Sequence, residues 1–177
     1  MTRMQAPYIQ QSAELRAGLW KIVSCTLYKL IPSPAYKLRR AVLVAFGAEL
    51  DSTSRVRGGV RISAPWNLCM GRKSSIGEGA TIWAHAPILI GSRSVISQYC
   101  FISCARMHGT KELPDPIEIG DDVWIAAESV VVGGTQVPNG VLVGARSLVS
   151  ESIEPWSIAT GHPAKTRRLR PYQGQRS

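Results

Sequence analysis

Three histidines, His85, His108 and His162, are the first candidates for proton-transfer chemistry in this chain. A neutral imidazole, with an ordinary pKa of about 6.5, can take a proton from an alcohol as that alcohol attacks a carbonyl carbon. His108 stands in SCARMHGTKELPDPIE, residues 103–118, which carries a Pro114–Asp115–Pro116 brake. Read alone, a loop histidine is better explained as a solvated side chain. His85 lies in TIWAHAPI and reads as an exposed or subunit-contacting residue. His162 lies in GHPAK and reads as structural or adjacent to a bound cofactor. A catalytic zinc of the carbonic anhydrase kind needs three convergent imidazoles, two of them only a few residues apart. These three are too widely separated, so no metal is expected. The cysteines Cys25, Cys69, Cys100 and Cys104 form no CxxC pair and no secretory framework, as expected of small buried residues in a reducing cytoplasm. Cys104 offers a covalent route, but its position at a repeat boundary favours packing.

The scaffold that must position His108 is written in a six-residue period. Ile119, Ile125, Val131, Val137, Val143 and Val149 follow one another at that step. With about a quarter of positions aliphatic, such a run arises by chance roughly once in four thousand trials. Four residues after each aliphatic come small or β-branched residues: Val123, Ser129, Thr135, Val141 and Ser147. Upstream, Leu50, Val56, Ile62 and Leu68 keep step, and a two-residue slip gives Met70, Ile76, Ile82 and Ile88. A second slip gives Ile90, Ile96 and Ile102, with Ser74, Ala80, Ser94 and Cys100 as the small residues. A slip at every third hexad makes three hexads one turn, with the extra pair bulging at one corner. The period fits a triangular coil, one short strand per side, whose turns stack like on like so that no repeat is stable alone. A β-sandwich would show turns every 8 to 12 residues and no six-fold step.

Three segments break the period and divide the chain. Residues 1–47 read as helical: Leu15, Leu19, Ile22, Val23, Leu27 and Leu30 have helical spacing, Pro32 and Pro34 interrupt, and Tyr36 to Phe46 forms a second helix ending at Gly47. This segment caps the open end of the solenoid, or docks on a membrane face helped by Lys21, Lys29, Lys37, Arg39 and Arg40. Residues 48–154 form the coils, with a loop extruded at 103–118, because a long loop in a compact solenoid usually has a task. Residues 155–177 leave the repeat through Pro155–Trp156, GHPAK and a basic tail. The formal charge of +9 suits an anionic partner, whether a phosphorylated cofactor, a lipid surface or a nucleic acid. No nucleic-acid-binding motif accompanies it, so nucleic acid is not expected. Neither a signal peptide nor a transmembrane helix is expected, the apolar run Ile22 to Ile31 being short and holding Lys29.

The stretch from Cys104 to His108, then PIEIGDDVWIAAESVVVGGTQV, VGARSLV and GHPAK, resembles the hexapeptide-repeat sugar O-acetyltransferases, in particular the branch of colanic-acid and exopolysaccharide biosynthesis. GLWKIVSCTLYKL, FGAEL and VRISAPWNL extend that resemblance over nearly the whole chain. It implies an all-β fold, a left-handed parallel β-helix with an N-terminal helical segment and a short basic C-terminal extension. It also implies acetyl-CoA as co-substrate, a sugar or glycan acceptor, a homotrimer with sites between subunits, and a cytoplasmic protein, peripheral to the inner membrane where the basic helices dock. His108 maps onto the family's base, Trp124 lies beside the acyl-donor channel, Ala145 and Ser150 line the pantetheine groove, and Lys165 and Arg168 meet the phosphates of CoA. Backbone N–H groups near Ala126 and Ala127 are expected to hold the oxyanion. The sequence departs from the family in three places. No carboxylate flanks His108, so an acidic helper is expected to be missing. No Asp or Asn aligns with Trp83 or Ala84 to contact the acceptor, leaving Trp83 and His85 as substitutes. Glu151 stands where a lysine is common. An amino-sugar N-acetyltransferase and a non-catalytic assembly subunit remain the alternatives.

Overall fold

A computed structural model describes residues 6–32 and 34–170, without the side chains of 6–13 and Glu112; the outer ends of both terminal segments lie outside the described residues. Strands of two to three residues repeat around three faces of a parallel β-solenoid. The predicted rows are the ladders. Leu50, Met70, Ile90, Ile119 and Val137 pair in register on the first face. Val56, Ile76, Ile96, Ile125 and Val143 pair on the second. Ile62, Ile82, Ile102, Val131 and Val149 pair on the third. All fifteen are buried, each worth about 1.5–3 kcal/mol of transfer free energy. The small residues four places on are buried too, among them Ser74, Ala80, Ser94 and Ser129.

Two corners are regular. Three residues after the inward aliphatic the backbone turns left-handed, at Lys73, Arg93, Asp122 and Gly140 on one edge and at Gly79, Tyr99, Glu128 and Arg146 on the next. All irregularity falls on the third corner, between the third face and the first. The two slips and the 103–118 segment are there. Each slip also does more than bulge outward: Leu68 and Ile88 point inward beside Met70 and Ile90, and Ile117 continues that extra row.

Helices α1 (Ala6–Cys25), α2 (Leu27–Leu30) and α3 (Tyr36–Ala45) close the N-terminal end. Within the solenoid, an N–H of one coil donates to a C=O of the following coil, as Gly71 does to Ile90. The first coil's carbonyls have no preceding coil to serve. Arg40 donates to the Leu50 carbonyl at 2.9 Å, Arg39 to that of Val56 at 3.1 Å, and Trp20 Nε1 to that of Ile62 at 2.8 Å. One side-chain donor thus satisfies each face, which orients the helices as a cap. Arg39, 1% exposed, also donates to the Ile31 and Pro32 carbonyls. Arg39 is therefore sequestered, and only Lys21, Lys29 and Lys37 of the expected basic patch are exposed together with the outward half of Arg40. Leu15, Leu19, Ile22, Leu27 and Leu30 face outward, while Trp20 and Tyr28 pack inward, edge-on at 5.5 Å. The indole is chosen because it fills the end of the core and also carries the donor that Ile62 needs.

The C-terminal extension adds strands to the solenoid. Ser157–Gly161 rejoins the second face, with buried Ala159 in register with Val143, and Ala164–Leu169 returns antiparallel on it. The residues after Ser150 thus go on extending the sheet although the hexad step is lost. Among the described residues, no helix is long and apolar enough to cross a membrane.

Replacing Arg39 by Met strands three carbonyls, and we expect a loss of about 2–4 kcal/mol in urea-induced unfolding. The exposed Lys37→Ala change should cost less than about 0.5 kcal/mol in the same measurement.

Candidate active site

The segment expected as a loop is an ordered hairpin. Ala105–His108 pairs antiparallel with Lys111–Pro114, with His108 opposite Lys111 and the turn at Gly109–Thr110. Gly109 has φ +64°, the left-handed conformation that a two-residue turn demands and glycine supplies without steric cost. The hairpin base is tied to the solenoid. Cys104 N–H donates to the Trp83 carbonyl, Asp115 N–H to the Cys104 carbonyl, and Gly133 N–H to the Ala105 carbonyl. Arg106 donates to the Gly133 carbonyl at 3.0 Å. A Cβ at Gly133 would meet the Cys104 carbonyl oxygen at 2.1 Å, so the GG pair of VVGGTQV is what lets the hairpin lie this close.

His108 is half exposed, and its Nε2 lies 2.8 Å from Asp115 Oδ2. The expected lack of an acidic helper is therefore corrected: the carboxylate arrives from seven residues downstream. Alternation along the two strands puts residues 104, 106 and 108 on one hairpin face with their partners 115, 113 and 111, so Asp115 shares the face of His108. An ionised carboxylate only accepts hydrogen bonds. In a neutral imidazole that donates Nε2–H to this carboxylate, the lone pair stays on Nδ1.

Cys104 is fully buried, its thiol donates to the Ala86 carbonyl at 3.2 Å, and burial pushes the thiol pKa up. A protonated, enclosed sulfur is a poor nucleophile, in line with packing. Ala126 N–H donates to the Val143 carbonyl at 2.9 Å. That donor is spent in the ladder and cannot hold an oxyanion, which removes Ala126 from the expected pair. Trp124 projects from the second face, half exposed, with its indole N–H on Ser97 Oγ at 2.9 Å.

The expected residues fall into two separate groups. His108, Trp83, His85 and Ser150 occupy the irregular corner, where Trp83 and His85 have ring centres 5.6 Å apart. Trp124, Ala126, Ala127, Ala145, Lys165 and Arg168 occupy the second face and the corner that follows it. Within one chain the groups touch where the Lys165 ammonium meets Glu151, next to Ser150, while His108 and Trp124 stay on different sides of the coil. Lys165 is paired with Glu151, the residue that stands where lysine is common, whereas Arg168 is exposed with no ion pair among the described residues. Among the described residues there is no cluster of three or more His, Cys, Asp or Glu that could hold a metal ion.

A protein of Escherichia coli strain K12 that carries the name colanic acid biosynthesis acetyltransferase is 32% identical over 161 residues, 88% of each chain. Among solved structures, a maltose O-acetyltransferase from Clostridium difficile superposes with a TM-score of 0.78 at 21% identity, covering 88% of this chain and 86% of that one. A hexapeptide-repeat acetyltransferase from Vibrio cholerae, solved with acetyl-CoA, superposes at 0.77 with 23% identity, covering 90% of this chain and 88% of that one. The shared fold is the left-handed parallel β-helix. No family model matches the chain.

Placing a methyl group at Gly133 must lift the hairpin from its base. Gly133→Ala is expected to speed amide exchange over Ala105 to Pro114 about tenfold and leave the coil ladders protected, read by hydrogen-exchange mass spectrometry.

Proposed function

The chain belongs to the hexapeptide-repeat acetyltransferase family and uses acetyl-CoA as co-substrate, and we propose that it acetylates a sugar hydroxyl with His108 as general base. The observation that carries this reading is the His108–Asp115 contact on a hairpin raised from a rigid scaffold. Asp115 fixes the tautomer, so Nδ1 removes the proton of the acceptor hydroxyl as its oxygen closes on the thioester carbonyl. The C–O bond forms, the C–S bond breaks, and the imidazolium returns the proton to the departing thiolate. Asp115 lowers the energy of the transient imidazolium without leaving its place. With Ala126 N–H engaged, the oxyanion falls to other donors near Ala127.

Because the His108 hairpin and Trp124 lie on different sides of one coil stack, a second copy that brings its second face to the hairpin completes the site, which supports a homotrimer. The irregular corner of one subunit supplies His108 and Ser150, with Trp83 and His85 facing the acceptor. The second face of its neighbour supplies Trp124, Ala127, Ala145, Lys165 and Arg168. Arg168 is available to a phosphate as it stands; Lys165 must first exchange Glu151 for that phosphate. The exposed Leu15, Leu19, Ile22 and Leu30, beside Lys21 and Lys29, support peripheral contact with the cytoplasmic membrane face. We propose residues 1–47, 48–154 and 155–177 as the three units of the chain, whose described parts are the cap, the coils and the closing strands. Polysaccharide biosynthesis is the process that the Escherichia coli relative's name supports.

His108→Ala should lower acetyl transfer by about 10²–10⁴-fold with an unchanged melting temperature. Near-normal transfer by a well-folded variant would remove His108 from the chemistry. Asp115→Asn should cut kcat by about tenfold or more and leave KM for acetyl-CoA unaltered, with partial recovery in Asp115→Glu. Acceptor profiling with paired hydroxyl and amino sugars separates O- from N-acetylation, and tight acetyl-CoA binding without turnover on any acceptor would favour an assembly role.

A further inference from the structure

A concavity of about 1330 Å³ runs between helices α1 and α2 and the third face of the solenoid, beside the irregular corner. Lys21, Lys29 and Arg61 line it together with Trp83 and Phe101, and no carboxylate does. None of the three cations has an ion pair among the described residues. Tyr28 also lines the groove: it is 5% exposed, and its hydroxyl is a buried polar atom with no hydrogen-bond partner among the described residues. Burial pushes the Tyr28 pKa upward, so the phenol stays a neutral donor. An orphan buried hydroxyl carries a desolvation cost that a hydrogen-bonding ligand removes. Trp83 is 46% exposed, and its ring meets Phe101 edge-on at 6.2 Å, which presents an aromatic face suited to a sugar ring.

The cationic lining, the orphan hydroxyl and the aromatic platform belong to one ligand. We infer that this groove binds the acceptor and that the acceptor is a phosphorylated glycan, with its phosphate or diphosphate on Lys21, Lys29 and Arg61 and its sugar on Trp83. Only the word acceptor rests on the function proposed above; the groove's preference for a phosphorylated ligand stands apart from it. The location serves the chemistry. Trp83 is one ladder step from Ser103, and its carbonyl accepts from Cys104 N–H at the hairpin base. A sugar held there lies at the corner from which His108 projects. A nucleotide sugar and a lipid-carried sugar offer the same phosphate chemistry.

The test is calorimetry on the full chain with its CoA site filled by saturating CoA, so that phosphate binding at Lys165 and Arg168 is blocked. The probes are methyl glucoside, glucose 1-phosphate, UDP-glucose and farnesyl diphosphate. Saturable binding of a phosphorylated probe, weakened at least about tenfold in K21A/K29A/R61A at unchanged melting temperature and CoA affinity, is expected. Tyr28→Phe should weaken the same probe about fivefold without loss of fold. Tightest binding of UDP-glucose identifies a nucleotide carrier, and tightest binding of farnesyl diphosphate a lipid carrier; both support the proposal. No saturable binding of any phosphorylated probe, or equal binding by wild type and the triple variant, overturns it. Binding is read without turnover, and His108→Ala should bind the probes as wild type does. Failure of the base assignment therefore leaves this result standing, and the reverse also holds.

Discussion

A parallel coil must lie in register on its neighbours, and that one requirement governs the molecule. Each inward aliphatic sits on its counterpart in the next coil, and N–H groups such as those of Ser63, Gly71 and Gly77 donate to carbonyls of the following coil. A residue inserted within a face would turn its side chains to the wrong side, because the side-chain period in a strand is two. Insertions must therefore fall at corners. Two corners are themselves constrained by stacked left-handed residues and by the ion pairs Arg93–Asp122 and Arg146–Glu128. The third corner alone absorbs added chain, and it does so in three successive coils.

The residues proposed for base and acceptor collect where that freedom exists. The first slip takes a short turn at Pro65–Asn67, the second presents Trp83 and His85, and the third extrudes the His108 hairpin. Below the hairpin, the step from Val131 to Val137 is a plain hexad, and Gly133 leaves room for the hairpin base. A catalytic imidazole needs to be held to a fraction of an ångström, which a loop achieves only when its base is locked. The carbonyls of Cys104 and Ala105 supply the lock, and Asp115 lies within hydrogen-bond distance of the His108 ring.

The solenoid was legible because a hexad row repeats its message many times: Ile119 through Val149 specify one buried ladder position after another. The cap was legible only in outline. Helical spacing of aliphatics does not say which face of α1 turns inward, because the end of a solenoid asks first for hydrogen-bond donors. Trp20 and Arg39 provide them, so they are buried and Leu15 and Leu19 are left outside. Asp115 was hidden by separation along the chain. A turn at Gly109–Thr110 puts Asp115 on the face of His108 by strand alternation alone. The engagement of Ala126 N–H could not be read from composition, since it depends on which coil carbonyl lies opposite. The grouping of His108 away from Trp124 likewise follows from the winding, which scatters neighbours in sequence around three faces.

The cap has a consequence for solubility. An uncapped solenoid end is an open sheet edge on every face, a template on which another copy, or an unfolded chain, can add strands indefinitely. Here the guanidinium groups of Arg39 and Arg40 and the indole of Trp20 imitate the backbone donors of a coil that does not exist. A side chain can imitate a donor without offering a further row of acceptors. The edge is thereby satisfied and sterile at once, and fibre growth from that end stops at the first layer.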